Sequence, residues 1–198
     1  MKAVNKHAKI ISAATKVFAK KGFFNARISD IAKEAKVADG TIYLYFNNKI
    51  DILISVFEEE IGRIILQVRE LLAKEQDPRK KLEIFVFNHL SIMKKNKYLA
   101  EVIHIELRQT TKLVKDYRES KFSEYIDIIA EIIEQGQQQN IFREDILSNI
   151  IKRTIFGALD EVSRVWNLSL ETHYSVEETG CQLIKLFVSG MLAPGQSS

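Results

Sequence analysis

Thr41, Tyr43 and Tyr45 follow one another within a few residues, and Lys49 stands just beyond them. These groups can donate hydrogen bonds to phosphates and stack on or touch sugars and bases, which is binding chemistry. Such donors are useful only if a rigid element holds them on one side. The stretch Val37–Lys49 follows a short helical segment, Ile28 to Ala35, after a break of two or three residues. Two short helices joined by a tight turn form the unit that lays a recognition helix in the DNA major groove.

Charge supports that reading. The net charge is +3, but residues 1–50 carry +7 and the remainder −4. A basic front end on an acidic body is the electrostatic footprint of a nucleic-acid binder. A lysine-rich solvated face is the alternative, and charge alone does not separate the two. At 198 residues, with 46% hydrophobic and 28% charged residues, the chain can build a small domain joined to a larger one. Only two prolines and eight glycines interrupt it, which fits long helices. The single cysteine, Cys181, excludes an internal disulfide. Met1 to Ile11 lacks the apolar core of a secretion signal and no 18-residue apolar run occurs, so a cytoplasmic location without membrane contact is expected.

Helical periodicity runs almost throughout, and strand-like alternation is nowhere sustained. The spacing predicts about nine helices: Lys6–Lys21 stopped by Gly22, Ser29–Ala35, Asp39–Tyr45, Lys49 to about Lys74, Pro78 to about Lys95, Tyr98–Gln109, Lys112–Gln139, Asp145 or Glu144 to Leu168, and a last one capped by Ser175 and ending near Gly190. Asn48 reads as an N-cap with Asp51 as its partner, and Pro78 as a first helical residue. Ile10, Ala14, Val17, Phe18, Ile28, Ile31, Ala32, Ala35, Val37, Ile42 and Phe46 supply a shared core for the first three helices.

Residues Lys6 to Glu60 resemble the DNA-binding domain of the TetR family of bacterial transcriptional repressors. The matching pieces are Ala13-Ala14…Val17-Phe18, Lys21-Gly22-Phe23, Asp30-Ile31-Ala32-Lys33-Glu34-Ala35, and Gly40-Thr41-Ile42-Tyr43-Leu44-Tyr45-Phe46 with Asn48-Lys49. The resemblance implies an all-α fold, with a three-helix helix-turn-helix domain at 1–48 and a helical ligand-binding and dimerisation domain at 49–198. It also implies that Thr41, Tyr43 and Lys49 bind phosphates, that Gly40 lets the backbone come close, and that Leu44 and Tyr45 reach base edges. Arg27 and Ser29 would add backbone or base contacts. Asn48 and Lys49, at a helix N-terminus, would form a phosphate seat. Half-buried aromatics are the alternative reading for Tyr43 and Tyr45, and a solvated lysine is the alternative for Lys49. Three positions depart from the family. Lys36 stands where the turn usually has glycine, at a cost of roughly 1 kcal/mol in left-handed geometry. Ala38 replaces a polar cap, and Arg27 replaces Thr or Ser. Asp39 would repel a phosphate, so it is expected to cap the third helix or to accept from cytosine N4.

In the body, the eighth helix carries Leu147, Ile151, Ile155, Ala158, Val162 and Val165 on one stripe, and the ninth carries Leu183, Ile184, Phe187 and Met191. Stripes this wide suggest burial on two sides. The resemblance implies that Ile151, Ile155, Ala158, Val162, Leu183, Phe187 and Met191 pair with their copies in a homodimer. Its two recognition helices would meet the half-sites of a palindromic duplex operator about 34–36 Å apart, or a multiple of that. Phe85, Leu90, Met93, Ile103, Leu107, Phe122, Ile126, Phe156, Leu159 and Trp166 read singly as core, but family members place an effector pocket among these helices. A narrower resemblance covers Asp51-Ile52-Leu53-Ile54-Ser55, Glu106-Leu107-Arg108-Gln109, Phe156-Gly157…Asp160-Glu161 and Val188-Ser189-Gly190. It points to the acyl-CoA-responsive TetR repressors of fatty-acid degradation, and implies a long-chain acyl-CoA effector whose coenzyme phosphates would meet Arg108, Lys112 or Arg153. Surface ion pairing is the alternative for those cations, and a drug or aromatic compound is the alternative effector.

Other function classes fit less well. His7, His89, His104 and His173 lack metal-ligand spacing, Cys181 has no identifiable base, and no phosphate-loop, dinucleotide-binding or serine-nucleophile motif is present. No catalytic residue, metal or cofactor is therefore expected, and an all-helical enzyme is a remote alternative. A helical adaptor binding only protein would leave the +7 front end unexplained.

Overall fold

The computed structural model describes residues 2–109, 121–168 and 174–195. Lys112 lies outside them, and the side chains of Leu107 and Arg108 lie outside the described side chains. Among the described residues the chain forms nine α-helices: α1 Lys2–Asn25, α2 Ile28–Ala35, α3 Asp39–Ile42, α4 Lys49–Leu72, α5 Pro78–Lys95, α6 Lys97–Gln109, α7 Lys121–Gln138, α8 Ser148–Leu168 and α9 Val176–Met191. One isolated antiparallel bridge joins Phe142 to Leu192. The chain divides into one unit drawn from residues 1–62 and 96–121, and a second drawn from 63–95 and 122–198. The expected boundary at residue 48 falls just before α4, whose first turns belong to the first unit.

In the first unit, Ile10, Ala14, Phe18, Ile31, Ala32 and Ile42 are fully buried and hold α1, α2 and α3 together. Gly22 breaks α1 with φ 71° and ψ 157°, and one more turn follows. α2 ends with Lys36 at φ 56°, ψ 46°. There the Lys36 N–H reaches Lys33 O at 3.2 Å and the Val37 N–H reaches Ala32 O at 3.0 Å. This is a Schellman closure with lysine where glycine would be unstrained. α6 packs on α1. Its N-cap is Asn96, whose Oδ1 accepts the Leu99 N–H at 3.1 Å.

In the second unit, α5 packs against α8 and α9. Gly180 of α9 permits that approach, since a Cβ there would overlap the Phe87 ring. α9 starts as expected, with Ser175 Oγ accepting the Glu178 N–H at 2.9 Å. α8 begins at Ser148, three or four residues later than the sequence pattern predicts. The preceding residues are held in a turn by other partners. Gln137 Nε2 donates to the carbonyls of Arg143 and Ile146 at 3.0 and 2.9 Å, and the Arg143 N–H donates to Met191 O at 2.8 Å.

Candidate nucleic-acid interface

The start of α2 is the first part of the site. Arg27 is its N-cap, in extended backbone geometry. A guanidinium cannot accept a hydrogen bond, so Asp30 does the capping: its Oδ2 accepts the Arg27 N–H at 3.1 Å. Lys21 Nζ holds Asp30 Oδ1 at 2.7 Å. Those two interactions, Lys21 first, draw the Asp30 carboxyl below the ordinary carboxylate range. The arrangement leaves the Arg27 side chain and Ser29 exposed at the helix start.

The recognition element is shorter than expected. α3 covers only Asp39–Ile42, with Tyr43 as its C-cap. The chain then tightens, with Leu44 N–H to Thr41 O at 3.3 Å and Tyr45 N–H to Ile42 O at 3.0 Å. The tightening turns the chain back so that Phe46 is buried, its ring 5.1 Å from that of His7. Asp39 does not cap α3. Ala38 occupies the cap position without a side-chain hydrogen bond, and Asp39 already lies inside the first turn. Tyr43 and Leu44 project outward, 58% and 80% exposed. Gly40 is exposed, and an added Cβ would meet nothing within 4 Å, so no packing within this chain demands glycine there. Thr41 is half-buried. Tyr45 is also half-buried, its ring edge-on to His7 at 5.8 Å.

α4 closes the site. Asn48 Oδ1 accepts the Asp51 N–H at 2.9 Å, as the capping pattern predicts. Asp51 reaches one residue further back than expected, accepting the Asn47 N–H at 3.1 Å and Asn47 Nδ2 at 2.9 Å. Arg27, Ser29, Asp39, Tyr43 and Lys49 come together around a concavity of about 440 Å³. Its rim sets the cations of Arg27 and Lys49 and the hydroxyls of Ser29 and Tyr43 beside the Asp39 carboxylate, and the cationic and hydroxyl side, at a helix N-terminus, suits a phosphate. Sequence reasoning missed the partners of Lys49: its Nζ donates to Ala26 O at 2.8 Å and Phe24 O at 3.2 Å, and lies 4.6 Å from the Phe23 ring centre.

The family model for bacterial regulatory proteins of the tetR family matches residues 10–56, and that for the C-terminal region of YsiA-like proteins matches residues 57–190. The chain belongs to the TetR family. Its members are transcriptional regulators, so this TetR-family chain binds DNA rather than turning over a substrate. It is 34% identical over 186 residues to the fatty acid metabolism regulator protein of Bacillus subtilis, covering 94% of this chain and 95% of the relative. Among solved structures it is similar to the FadR regulator from B. subtilis in complex with stearoyl-CoA, with TM-score 0.85 and 34% identity over 93% of this chain and 98% of the other. FadR from Bacillus halodurans gives the same TM-score and identity over 93% and 95%.

The expected effector-pocket residues divide between the units. Phe85, Leu90, Met93, Leu159 and Trp166 are buried in the second unit, while Phe122, Ile126 and Phe156 are half-buried there. Ile103 is buried in the first unit. Arg153 is exposed on α8. Phe122 meets Phe156 edge-on at 5.1 Å, and Phe156 meets His89 at 5.7 Å. His89 is the unforeseen member of this cluster, because a histidine among apolar residues gives no periodic signal. Its Nδ1 lies 3.0 Å from Tyr125 Oη. Burial raises the Tyr125 hydroxyl above the ordinary tyrosine range, so it stays protonated and can serve as donor.

The expected dimer residues are also unevenly placed. Ile155 and Met191 are buried within the protomer, whereas Ile151, Ala158, Val162, Leu183 and Phe187 are half-buried. Among the described side chains, the large apolar groups left exposed on α8 and α9, with Leu147 just before α8, are Ile150, Val165 and Leu186.

Proposed function

We propose that this protein is a homodimeric repressor that leaves a palindromic operator in the cytoplasm when a long-chain acyl-CoA binds. The observation that carries the effector is the likeness, over nearly the whole of both chains, to a FadR structure that holds stearoyl-CoA. Residues 1–48 form the reading head, and 49–198 the effector and dimer body. Arg27, Ser29, Thr41, Tyr43, Asn48 and Lys49 engage phosphates; Gly40, Leu44, Tyr45 and Asp39 face the bases. The acyl chain lies against the aromatic and aliphatic groups around Phe122, Ile126 and Phe156. Leu147, Ile150, Val165 and Leu186 support α8 and α9 as the dimer face, with Ile151, Ala158, Val162, Leu183 and Phe187 beside them. Acyl-CoA releases DNA by binding better to a conformer whose recognition elements are wrongly spaced, since only differential affinity moves the equilibrium. Native mass spectrometry with stearoyl-CoA and free coenzyme A tests the binding part. A dimer that takes up one stearoyl-CoA per protomer and no coenzyme A is expected; equal uptake of both, or of neither, would overturn the assignment.

A further inference from the structure

Tyr45 is half-buried, and an imidazole lies against its ring. That imidazole belongs to His7 of α1; it meets Tyr45 edge-on, with ring centres 5.8 Å apart and an interplanar angle of 63°. It also lies against the Phe46 ring, at 5.1 Å and 31°. Tyr45 and Phe46 are themselves 6.4 Å apart. All three separations fall where offset and edge-on rings attract one another. Phe46 is buried, so the imidazole rests on a ring that is itself fixed. A second hold acts on a different atom. His7 Nδ1 lies 3.1 Å from Glu59 Oε1 on α4. A carboxylate only accepts, so Nδ1 carries the proton of that bond. All four residues belong to the first unit. A side chain held both by packing and by a hydrogen bond keeps one rotamer, and can hold a neighbour in turn.

We infer that His7 is a positioning residue for DNA recognition: seated on Phe46 and held by Glu59, it fixes where the Tyr45 hydroxyl is presented to the duplex. The hydroxyl stands at the far end of a rigid ring. A small rotation at the base of that ring displaces it by more than a hydrogen bond tolerates. His7 prevents the rotation from the protein side and makes no contact with the duplex itself. One residue of α1 and one of α4 thus enter recognition through a side chain that neither of them carries.

The inference rests on the DNA-binding reading, and the experiment separates the two. The probe is the duplex that the protein selects from a random-sequence pool. Failure to select any duplex would overturn that reading and this inference with it; the outcomes below bear on the inference alone. Affinity for the selected duplex is measured for wild type, His7→Asn, Tyr45→Phe and the double variant. His7→Asn keeps an N–H for Glu59 and removes the ring that meets Tyr45. Tyr45→Phe keeps that ring contact and removes the hydroxyl. Each single variant is expected to bind about fivefold more weakly. The double variant is expected to bind like Tyr45→Phe, since no hydroxyl is left to misplace. Support of the fold alone would make His7→Asn cost the same with and without the hydroxyl, and that result would overturn the inference. So would wild-type affinity in either single variant. The slope of log K against log salt is expected to be unchanged by His7→Asn; a fall of about 0.9 would mean that His7 itself neutralises a phosphate, which also overturns it. A further measurement needs no variant. In the wild-type protein, NMR cross-relaxation between the His7 and Tyr45 ring protons is expected to persist on the duplex, and its loss there would contradict the positioning role.

Discussion

At the residue scale, Leu44 is the side chain most clearly offered to a partner, being 80% exposed and apolar at the turn after α3. Removing its branched end takes away about 1 kcal/mol of apolar contact. Leu44→Ala is expected to weaken the selected duplex about fivefold and to relax preference at one base pair, as read by repeating the selection. Lys36 makes the opposite case, a residue that local structure does not want. Its φ of 56° is natural for glycine. Lys36→Gly is expected to stabilise the protein by about 0.5–1 kcal/mol in thermal melting. Asp30 sets an acid limit. Its folded value lies below the ordinary 3.8, through Lys21 and then the Arg27 N–H. The stability it contributes is therefore complete above the unfolded value and is lost as pH falls through the folded one. Asp30→Asn should flatten the acid limb of a stability profile below about pH 4.

At the scale of elements, what the sequence makes legible is what local rules control. Asn48 and Ser175 cap their helices, Gly22 and Lys36 adopt positive φ, and the three-helix core at Ile10, Phe18, Ile31 and Ile42 is buried as spacing requires. The misses arise where distant partners decide. Lys49 bonds to carbonyls 23 and 25 positions away, and no periodicity can announce that. Gln137 looks like part of a featureless glutamine run, yet it fixes the turn before α8 and so delays that helix. α3 stops early where the chain turns back and buries Phe46. On α8, spacing identifies an apolar stripe but not which edge the protomer buries. Ile155 and Leu159 go inward while Ile150 stays out, as does Leu147 just ahead of the helix. Close packing of α9 on α5 yields a direct check. Gly180→Ala forces its methyl against Phe87 and should cost about 1–3 kcal/mol in chemical denaturation.

At the scale of the molecule, the proposed function joins a basic reading head and an apolar face on α8 and α9 in one device, because two half-sites would need two heads. Leu186, 67% exposed near the end of α9, is a sensitive point on that face. Leu186→Glu would bury a charge at a dimer contact. It is expected to give monomers in sedimentation analysis and to reduce operator affinity on the order of a hundredfold, since the second head no longer binds at high effective concentration. The central claim is that a fatty acyl-CoA ends DNA binding by this TetR-family regulator. Fluorescence anisotropy of the selected duplex, titrated with stearoyl-CoA and separately with coenzyme A, tests it most directly. Stearoyl-CoA is expected to free the duplex and coenzyme A to leave it bound; a duplex still bound at saturating stearoyl-CoA would contradict the claim.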